Sequence, residues 1–180
     1  MINFFQTTNQ NILNVFKLKY KIYNLAFILL FSFSHLSAQV VELVADINLD
    51  ASNFSSNPSD FIEFNSNLYY AAYDQVSGRE LWKYDGINTP TMVADIYPGA
   101  SGSPSNLTIF NGKLYFSAND GVNGNELWEY DGTNPPTMAA DIEPGAGNSY
   151  PYFLTVFNSK LYFNATQGTF GQELWEYDGT

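Results

Sequence analysis

The sequence repeats itself with a period of 46 to 47 residues, and this period constrains the fold more than any other feature. Two motifs mark it. Glu-Leu-Trp begins at Glu80, Glu126 and Glu173, and Leu-Tyr followed by an aromatic residue begins at Leu68, Leu114 and Leu161. A third motif, Ala-Asp-Ile, begins at residues 45, 94 and 140. Self-similarity at this period indicates a stacked array of one supersecondary unit.

Each unit is predicted to contain four short antiparallel strands and no helix. In the first unit the strands are placed at 61–64, 67–73, 80–85 and 91–96. The first two strands are separated by Asn-Ser or Asn-Gly at 65, 111 and 158, which favours a two-residue turn whose central residues have positive φ. The sequence therefore predicts an all-β fold, a β-propeller-like array of about three four-stranded antiparallel blades that form an incomplete propeller. A β-sandwich is the alternative.

The N-terminal residues have the order of a secretory signal. Lys17, Lys19 and Lys21 precede an apolar run at 25–33, and the small residue Ala38 follows. We therefore predict that residues 1–38 are a signal peptide and that residues 39–180 are a secreted or cell-surface repeat domain. The apolar run is shorter than the roughly 20 residues that span a bilayer, so no membrane span is expected after cleavage. An uncleaved N-terminal anchor is the alternative.

Removal of the signal changes the chemistry that is available. The chain has 7 basic and 18 acidic residues, a single histidine and no cysteine. The signal takes His35 and three lysines with it, so four basic residues face all 18 acids and the net charge is −14. This excludes histidine acid–base catalysis and the usual zinc sites. An acidic surface disfavours nucleic acid and anionic lipid, and it favours cations, basic partners or neutral sugars. A glycan or a surface protein is the expected partner.

Three segments together resemble a known family. They are the nine residues Gly-Arg-Glu-Leu-Trp-Lys-Tyr-Asp-Gly at 78–86, Ala-Asp-Ile-Tyr-Pro-Gly at 94–99, and Asn-Gly-Lys-Leu-Tyr-Phe-Ser-Ala-Asn-Asp at 111–120. The chain from residue 40 to residue 180 is similar to the ELWxxDGT repeat proteins of bacterial cell surfaces. The resemblance implies export and a propeller-like array, and it assigns no reaction. The chain departs from the family at Tyr84, Tyr130 and Tyr177, where serine is common.

Most residues that repeat are predicted to be structural. The glutamate of Glu-Leu-Trp begins a strand that should be largely buried, and we expect it to accept backbone N–H groups from a neighbouring turn and so fix adjacent blades. A ring of three equivalent carboxylates is the alternative. The complete set of structural repeat positions is Glu80, Trp82, Asp85, Glu126, Trp128, Asp131, Glu173, Trp175 and Asp178.

The long connections are predicted to lie on one rim of the array and the tight hairpins on the other. Long loops on a rigid scaffold are where binding usually resides. The possible ligand-face residues on these loops are Asp50, Asp74, Asp95, Asp120, Asp141 and Glu143. Asp120 and Asn123 are weak candidates for a calcium site, although their loop does not match the usual calcium-binding spacing. No other cofactor is predicted.

The leading hypothesis is a secreted or cell-surface, non-catalytic binding or adhesion module with an acidic loop face. The alternative is a carboxylate-dependent glycoside hydrolase or carbohydrate-processing propeller, because two carboxyl groups suffice for that reaction. No catalytic residue is assigned, since nearly every acid belongs to the repeat. The protein is therefore more consistent with a binding module than with an enzyme.

The ends of the repeat array lead to two further expectations. Residues 40–47 align with the fourth strands of later blades, which predicts a strand that closes the ring by joining the last blade, with Leu43, Val44 and Ile47 packed at a blade edge. Three blades are fewer than the roughly 4 to 8 of closed propellers. We therefore expect either that further repeats of a longer protein follow a C-terminal truncation, or that two chains associate head to tail into a six-bladed ring.

Overall fold

The computed structural model describes residues 41–48 and 54–180, and the chain divides into two compact units, Met1–Leu43 and Val44–Thr180. The predicted signal peptide at 1–38 and Asp50 lie outside the described residues. In the first unit only 41–43 are described, without regular secondary structure. All described strands belong to the second unit, and the described residues contain no helix that could cross a membrane.

The second unit consists of three antiparallel sheets. In each sheet, consecutive strands are hydrogen-bonded neighbours. Sheet 1 contains β1 (Ser59–Phe64), β2 (Asn67–Asp74), β3 (Gly78–Tyr84) and β4 (Thr91–Ala94); sheet 2 contains β5 (Ser105–Phe110), β6 (Lys113–Asn119), β7 (Asn125–Tyr130) and β8 (Thr137–Ala140); sheet 3 contains β9 (Tyr152–Phe157), β10 (Lys160–Thr166) and β11 (Gln172–Tyr177). The predicted all-β class and the antiparallel order of strands are confirmed.

The hairpins follow from their turn residues. Asn65 and Ser66 have φ of 49° and 60°, and Asn111 and Gly112 have φ of 46° and 73°. Two consecutive residues with positive φ are what a type I′ turn requires, and this turn matches the twist of the two strands that it joins. Phe64 therefore pairs with Asn67 across a two-residue loop, and β5 and β6 pair in the same way.

The sheets pack face to face in chain order. One apolar cluster joins Phe64, Tyr69 and Leu81 of sheet 1 to Phe116 and Trp128 of sheet 2. A second cluster joins sheet 2 to sheet 3 through the equivalent positions, which include Phe110, Tyr115, Leu127 and Phe163. Sheet 2 is thus covered on both faces. This explains why its strands are apolar on both sides instead of alternating.

Neighbouring sheets are also joined through their first strands. The side chain of Asp60 in β1 accepts a hydrogen bond of 2.9 Å from the Asn106 N–H in β5. The side-chain oxygen of Asn106 in turn accepts one of 3.1 Å from the Phe153 N–H in β9. All three residues have φ of 57° to 58° at a register shift of the strand. The first strands of the three sheets therefore form a linked series.

The predicted strand at 40–47 is wrong for the part that the structure describes. Residues 41–48 form no strand, and Leu43 and Val44 are 82% and 61% exposed, whereas Ile47, the third predicted residue, is half-buried. In sheets 1 and 2 the fourth strand pairs with the third strand that directly precedes it in the chain. The predicted neighbour is the last blade, but sheet 3 has the order β11-β10-β9 and residues 41–48 are not paired with its edge strand β11. A strand without a hydrogen-bonded neighbour is not stable in water.

Candidate functional site on the connection rim

The loops lie on two separate rims of the stacked sheets. A Cβ atom added to Gly78 would be 2.5 Å from Ser101 Oγ, and one added to Gly124 would be 1.5 Å from the Gly147 oxygen. The loops that follow the second strands therefore touch the long connections between sheets. We call this side the connection rim. On the opposite side, Gly132 lies against the hairpin residue Asn65, and this side is the hairpin rim.

Glu80 is a buried carboxylate that fixes the first connection. It is 0% exposed and accepts hydrogen bonds from the Ile96 N–H at 3.1 Å and the Gly102 N–H at 2.6 Å. Burial raises the pKa of Glu80 to about 7, and the N–H groups of Gly102 and Ile96 offset part of that rise. Because the carboxylate is enclosed by its own backbone partners, it is not presented to a ligand.

Glu126 occupies the equivalent position in sheet 2 and accepts hydrogen bonds from the equivalent residues of the second connection. It is 0% exposed and accepts hydrogen bonds from the Ile142 N–H at 2.8 Å and the Ser149 N–H at 3.0 Å. The Ser149 hydroxyl adds a third bond of 2.6 Å. Burial raises the pKa of Glu126, and the Ser149 hydroxyl is the largest opposing influence. Glu173, the third member of the set, is exposed, and no partner for its carboxylate is found in the part of the chain that the structure describes.

The aspartates that end the third strands are turn residues. Asp85 and Asp131 each accept the backbone N–H groups of the residues two and three positions later, and Asp178 accepts that of Thr180. The Asn88 side chain, followed by the Asn88 and Ile87 N–H groups, lowers the pKa of Asp85 to about 2. These carboxylates stabilise the Asp-Gly loops, in the manner of an Asx turn.

The three tryptophans follow the same repeat. Trp128 packs in the first apolar cluster at 8% exposure, and Trp175 packs in the second. The Trp175 indole N–H donates to the Ala165 oxygen at 3.0 Å. The indole N–H groups of Trp82 and Trp128 are buried without a partner among the described residues. Trp128 and Trp175 fill the space between neighbouring sheets, whereas Trp82 belongs to neither cluster.

The candidate calcium residues bond to each other. Oδ1 of Asp120 accepts the N–H groups of Val122 at 2.9 Å and Asn123 at 2.7 Å, and Oδ2 accepts the Asn123 side-chain amide at 2.7 Å. Within residues 41–48 and 54–180, no group of three or more acidic, histidine or cysteine side chains is arranged to hold a metal ion. The geometry of this loop is accounted for by its turn.

The remaining acids of the connection rim are dispersed. Asp74 accepts the N–H groups of Val76 and Ser77, two and three residues later, and Asp120 accepts the N–H groups at the equivalent positions of its own loop. Asp95 and Asp141 are exposed, and Glu143 accepts the Gly168 N–H across to the loop of sheet 3. The structure does not gather these acids into one site. They lie separately on the loops and connections of this rim.

An aromatic group on this rim was not recognised in the sequence. Tyr150 and Tyr152 are 43% and 38% exposed, and Phe153 is 79% exposed. The two tyrosine rings are nearly parallel, 2° apart, with centroids separated by 6.3 Å. The repeat itself could have revealed this group. Tyr150 directly precedes Pro151, which aligns with Pro58 and Pro104, and Tyr152 and Phe153 directly follow it. Sheets 1 and 2 have small polar residues there, namely Asn57, Ser59, Asp60, Ser103, Ser105 and Asn106.

The backbone at two of these positions disfavours aromatic residues. Tyr150 and Phe153 have φ of 49° and 58°, in the left-handed region. The equivalent residues of sheets 1 and 2 are also left-handed, so the fold requires this conformation. Asparagine and aspartate tolerate it well, whereas other residues in this region cost on the order of 1 kcal/mol. Sheet 3 therefore has exposed aromatic side chains at two positions whose backbone conformation disfavours them.

The backbone of the aromatic group is nevertheless firmly attached. The Tyr150 N–H donates to the Asn125 oxygen at 3.2 Å, and the Phe153 N–H donates to the Asn106 side chain at 3.1 Å. Between them, Pro151 is fully buried. The rings therefore project from a segment that is fixed to sheet 2, so they present a preorganised surface.

Comparison with known proteins finds no relative. No protein-family model matches the chain, and neither a curated protein nor a solved structure does so. The resemblance to the ELWxxDGT repeats therefore rests on the sequence motifs alone.

Proposed function

We propose that this chain is a secreted or cell-surface, non-catalytic binding module, built of ELWxxDGT-type repeats, that binds a saccharide at Tyr150 and Tyr152. The observation that carries the proposal is the pair of nearly parallel, exposed tyrosine rings on the connection rim. Tyr150 and the adjacent Phe153 stand at left-handed positions where sheets 1 and 2 have small polar residues. Residues that carry a conformational cost, at positions where the other two sheets have better-suited residues, indicate a function other than folding.

The chemistry of the surface favours a neutral sugar. Tyrosine presents an apolar ring face together with a hydroxyl, which suits a ligand with apolar C–H faces and many hydroxyls. The 18 acids of the chain all lie after residue 38, and a strongly acidic surface repels anionic ligands. Asp141 on the same rim is exposed and offers a hydrogen-bond acceptor for sugar hydroxyls.

The linked first strands support the propeller arrangement. Asp60, Asn106 and Phe153 connect β1, β5 and β9 in series, as expected where the inner strands of blades converge on an axis. The face-to-face packing of the sheets in chain order agrees with this arrangement. In a propeller, the connection rim is an end of the axis, and a ligand site there is surrounded by loops from several blades.

The carboxylates support binding without catalysis. A glycoside hydrolase needs two carboxyl groups about 5 to 10 Å apart that face the substrate. Glu80 has the raised pKa of a candidate acid but is 0% exposed and held by two backbone N–H groups. Asp85, Asp120 and Asp131 are engaged in their own turns.

A glycan array tests the proposal. The protein is applied to the array in parallel with Tyr152→Ser, which introduces the residue that Ser59 and Ser105 provide at the equivalent positions. We expect the unmodified chain to bind neutral glycans and Tyr152→Ser to lose most of that binding while it remains folded. Binding that is unaffected by this substitution, or no binding to any glycan, would refute the proposal. The array is repeated with and without calcium.

Two further measurements address the remaining parts of the proposal. N-terminal analysis of the protein from the culture medium is expected to show a chain that begins after Ala38, and a mature chain that retains Met1 would contradict export by cleavage. Incubation with chromogenic glycosides is expected to give no turnover. Turnover abolished by one Asp or Glu substitution would establish the glycoside hydrolase instead.

A further inference from the structure

The contacts of sheet 1 with sheet 2 and of sheet 2 with sheet 3 are the same contact used twice. Tyr69 meets Tyr130 with ring centroids 5.8 Å apart at 62°, and Tyr115 meets Tyr177 with centroids 5.8 Å apart at 60°. Beside each pair, the glycine of an Asp-Gly loop lies against the asparagine of a hairpin: Gly132 against Asn65, and Gly179 against Asn111. The chain therefore contains one type of interface with two defined halves.

The first half of this interface occurs a third time, on the face of sheet 3 that points away from sheet 2. Leu174 corresponds to Leu81 and Leu127, which are both 0% exposed, yet Leu174 is 77% exposed. Phe157 corresponds to Phe64 and Phe110, which are 5% and 3% exposed, yet Phe157 is 61% exposed. We call this surface the outer face of sheet 3.

The second half also occurs a third time, on the face of sheet 1 that points away from sheet 2. A hollow of about 310 Å³ is lined there by Leu68, Tyr84 and Gly86, together with hairpin residues. These three correspond to Leu114, Tyr130 and Gly132, which receive the side chains of sheet 1 inside the molecule. We call this surface the outer face of sheet 1. A Cβ atom added to Gly86 would meet nothing within 4 Å, so its place is open.

The contact made by the buried glutamate also has two separate halves here: the carboxylate of Glu173 belongs to sheet 3, and its potential N–H donors belong to the segment before sheet 1. Glu80 and Glu126 accept the N–H of the isoleucine in Ala-Asp-Ile and an N–H near the end of the connection. In the segment before sheet 1, Ile47 is equivalent to the isoleucine donors Ile96 and Ile142. Ser56 is equivalent to Gly102 and Ser149, the donors near the end of the connection. The Ser56 oxygen accepts the Tyr73 N–H at 2.8 Å, just as the Gly102 oxygen accepts the Asn119 N–H. Within the described residues, neither Ile47 nor Ser56 donates its N–H to a carboxylate, and Glu173 accepts no N–H.

We propose that two copies of this chain associate head to tail, with the outer face of sheet 3 of one copy packed on the outer face of sheet 1 of the other. Phe157 and Leu174 then enter the position that the internal interfaces define, and Glu173 accepts the Ile47 and Ser56 N–H groups of the second copy. A second copy is the occupant because it carries the complementary half of the same interface. Two copies provide six sheets, within the roughly 4 to 8 blades of closed propellers.

The two faces differ, so the interface is heterologous, and this determines the experiment. Sedimentation velocity of the full chain as it is produced and processed is expected to show a dimer. Leu174→Asp and Leu68→Asp should each weaken association at least about 30-fold, because each places an unpaired charge in an apolar contact. Ile87→Asp is the matched control: Ile87 is 87% exposed, and the equivalent Thr133 of the doubly covered sheet 2 is also exposed. Circular dichroism verifies that every variant is folded.

Mixing the two defective variants gives the decisive result. The Leu174→Asp chain keeps an intact sheet 1 face, and the Leu68→Asp chain keeps an intact sheet 3 face. An equimolar mixture therefore regains one complete interface, and we expect a heterodimer that neither variant forms with itself. A monomeric unmodified chain would overturn the proposal, as would a dimer that Leu174→Asp leaves intact. Absence of heterodimer from the mixture of folded variants would overturn the head-to-tail arrangement. If Leu68→Asp does not fold, Glu173→Ala and Leu174→Asp still test the sheet 3 face.

Discussion

Glu126 holds Ser149 by two hydrogen bonds, one from the backbone N–H at 3.0 Å and one from the hydroxyl at 2.6 Å. Both groups are buried, and they lie where the connection from sheet 2 enters sheet 3. The carboxylate therefore fixes the path of the chain between two sheets together with the neighbouring Asn125 oxygen, which also accepts the Ser149 N–H at 3.0 Å. The same arrangement at Glu80 uses Gly102, which has no hydroxyl, so backbone N–H groups are the shared element.

Removal of this carboxylate should be costly. In Glu126→Ala the buried N–H of Ile142 loses its acceptor, whereas Ser149 keeps the Asn125 oxygen for its N–H at 3.0 Å and its hydroxyl at 3.2 Å. We expect a loss of about 2 kcal/mol in the free energy of unfolding. Urea denaturation measures it. Glu173→Ala is the control within the same motif, because Glu173 is exposed. At a concentration where the chain is monomeric, its effect should stay below about 0.5 kcal/mol. Equal effects of the two substitutions would contradict the assigned role.

The raised pKa of Glu80 predicts a pH dependence of stability. Its pKa in the folded chain is about 7, above the ordinary carboxyl value, so the folded state binds a proton more tightly than the unfolded state. The stabilisation is present below the unfolded pKa and is lost as the pH rises through about 7. We expect the free energy of unfolding to fall by about 1 kcal/mol or more between pH 5 and pH 8.

Glu80→Gln separates this contribution from the others, because glutamine does not titrate. The variant should show a smaller fall over the same pH range. Glu126 contributes with the same sign, so part of the fall should remain. Asp85, whose pKa is lowered to about 2, acts in the opposite direction but only in more acidic solution. An unchanged pH profile in Glu80→Gln would show that another group is responsible.

The sequence predicted the elements that depend on local chemistry. Asn-Ser and Asn-Gly turns specify hairpins by backbone conformation alone, and the strands they join were placed within a few residues. The segment at 41–48 was misjudged because a strand depends on a neighbour that the local sequence does not contain. The contact of Asp60 with the Asn106 N–H was also missed, since it joins residues 46 positions apart in different sheets. The candidate site at Tyr150 and Tyr152 is visible only as a departure from the repeat.

That departure predicts that Phe153→Asn makes the chain more stable. Asn106 occupies the equivalent position with the same φ of 57°, so the substitution restores a residue suited to the left-handed backbone. We expect a gain of about 0.5 to 1 kcal/mol, measured by thermal denaturation. Tyr150→Asn, which restores the residue at Asn57, should give a similar gain and should weaken glycan binding. A loss of stability in both variants would show that the aromatic residues serve the fold.

Two glycines with the same backbone conformation should differ sharply when replaced by alanine. Gly124 and Gly145 have φ of 76° and 90°, so alanine is strained at either position. A Cβ atom on Gly145 would meet nothing within 4 Å, whereas one on Gly124 would lie 1.5 Å from the Gly147 oxygen. Gly145→Ala should therefore cost only the conformational strain of about 1 kcal/mol. Gly124→Ala must also displace the backbone of the connection that Glu126 holds, and we expect about 3 kcal/mol or more. Chemical denaturation of the two variants checks the difference. Because the strain is common to both, equal costs would mean that the loop at 120–124 does not rest against the connection at 143–149.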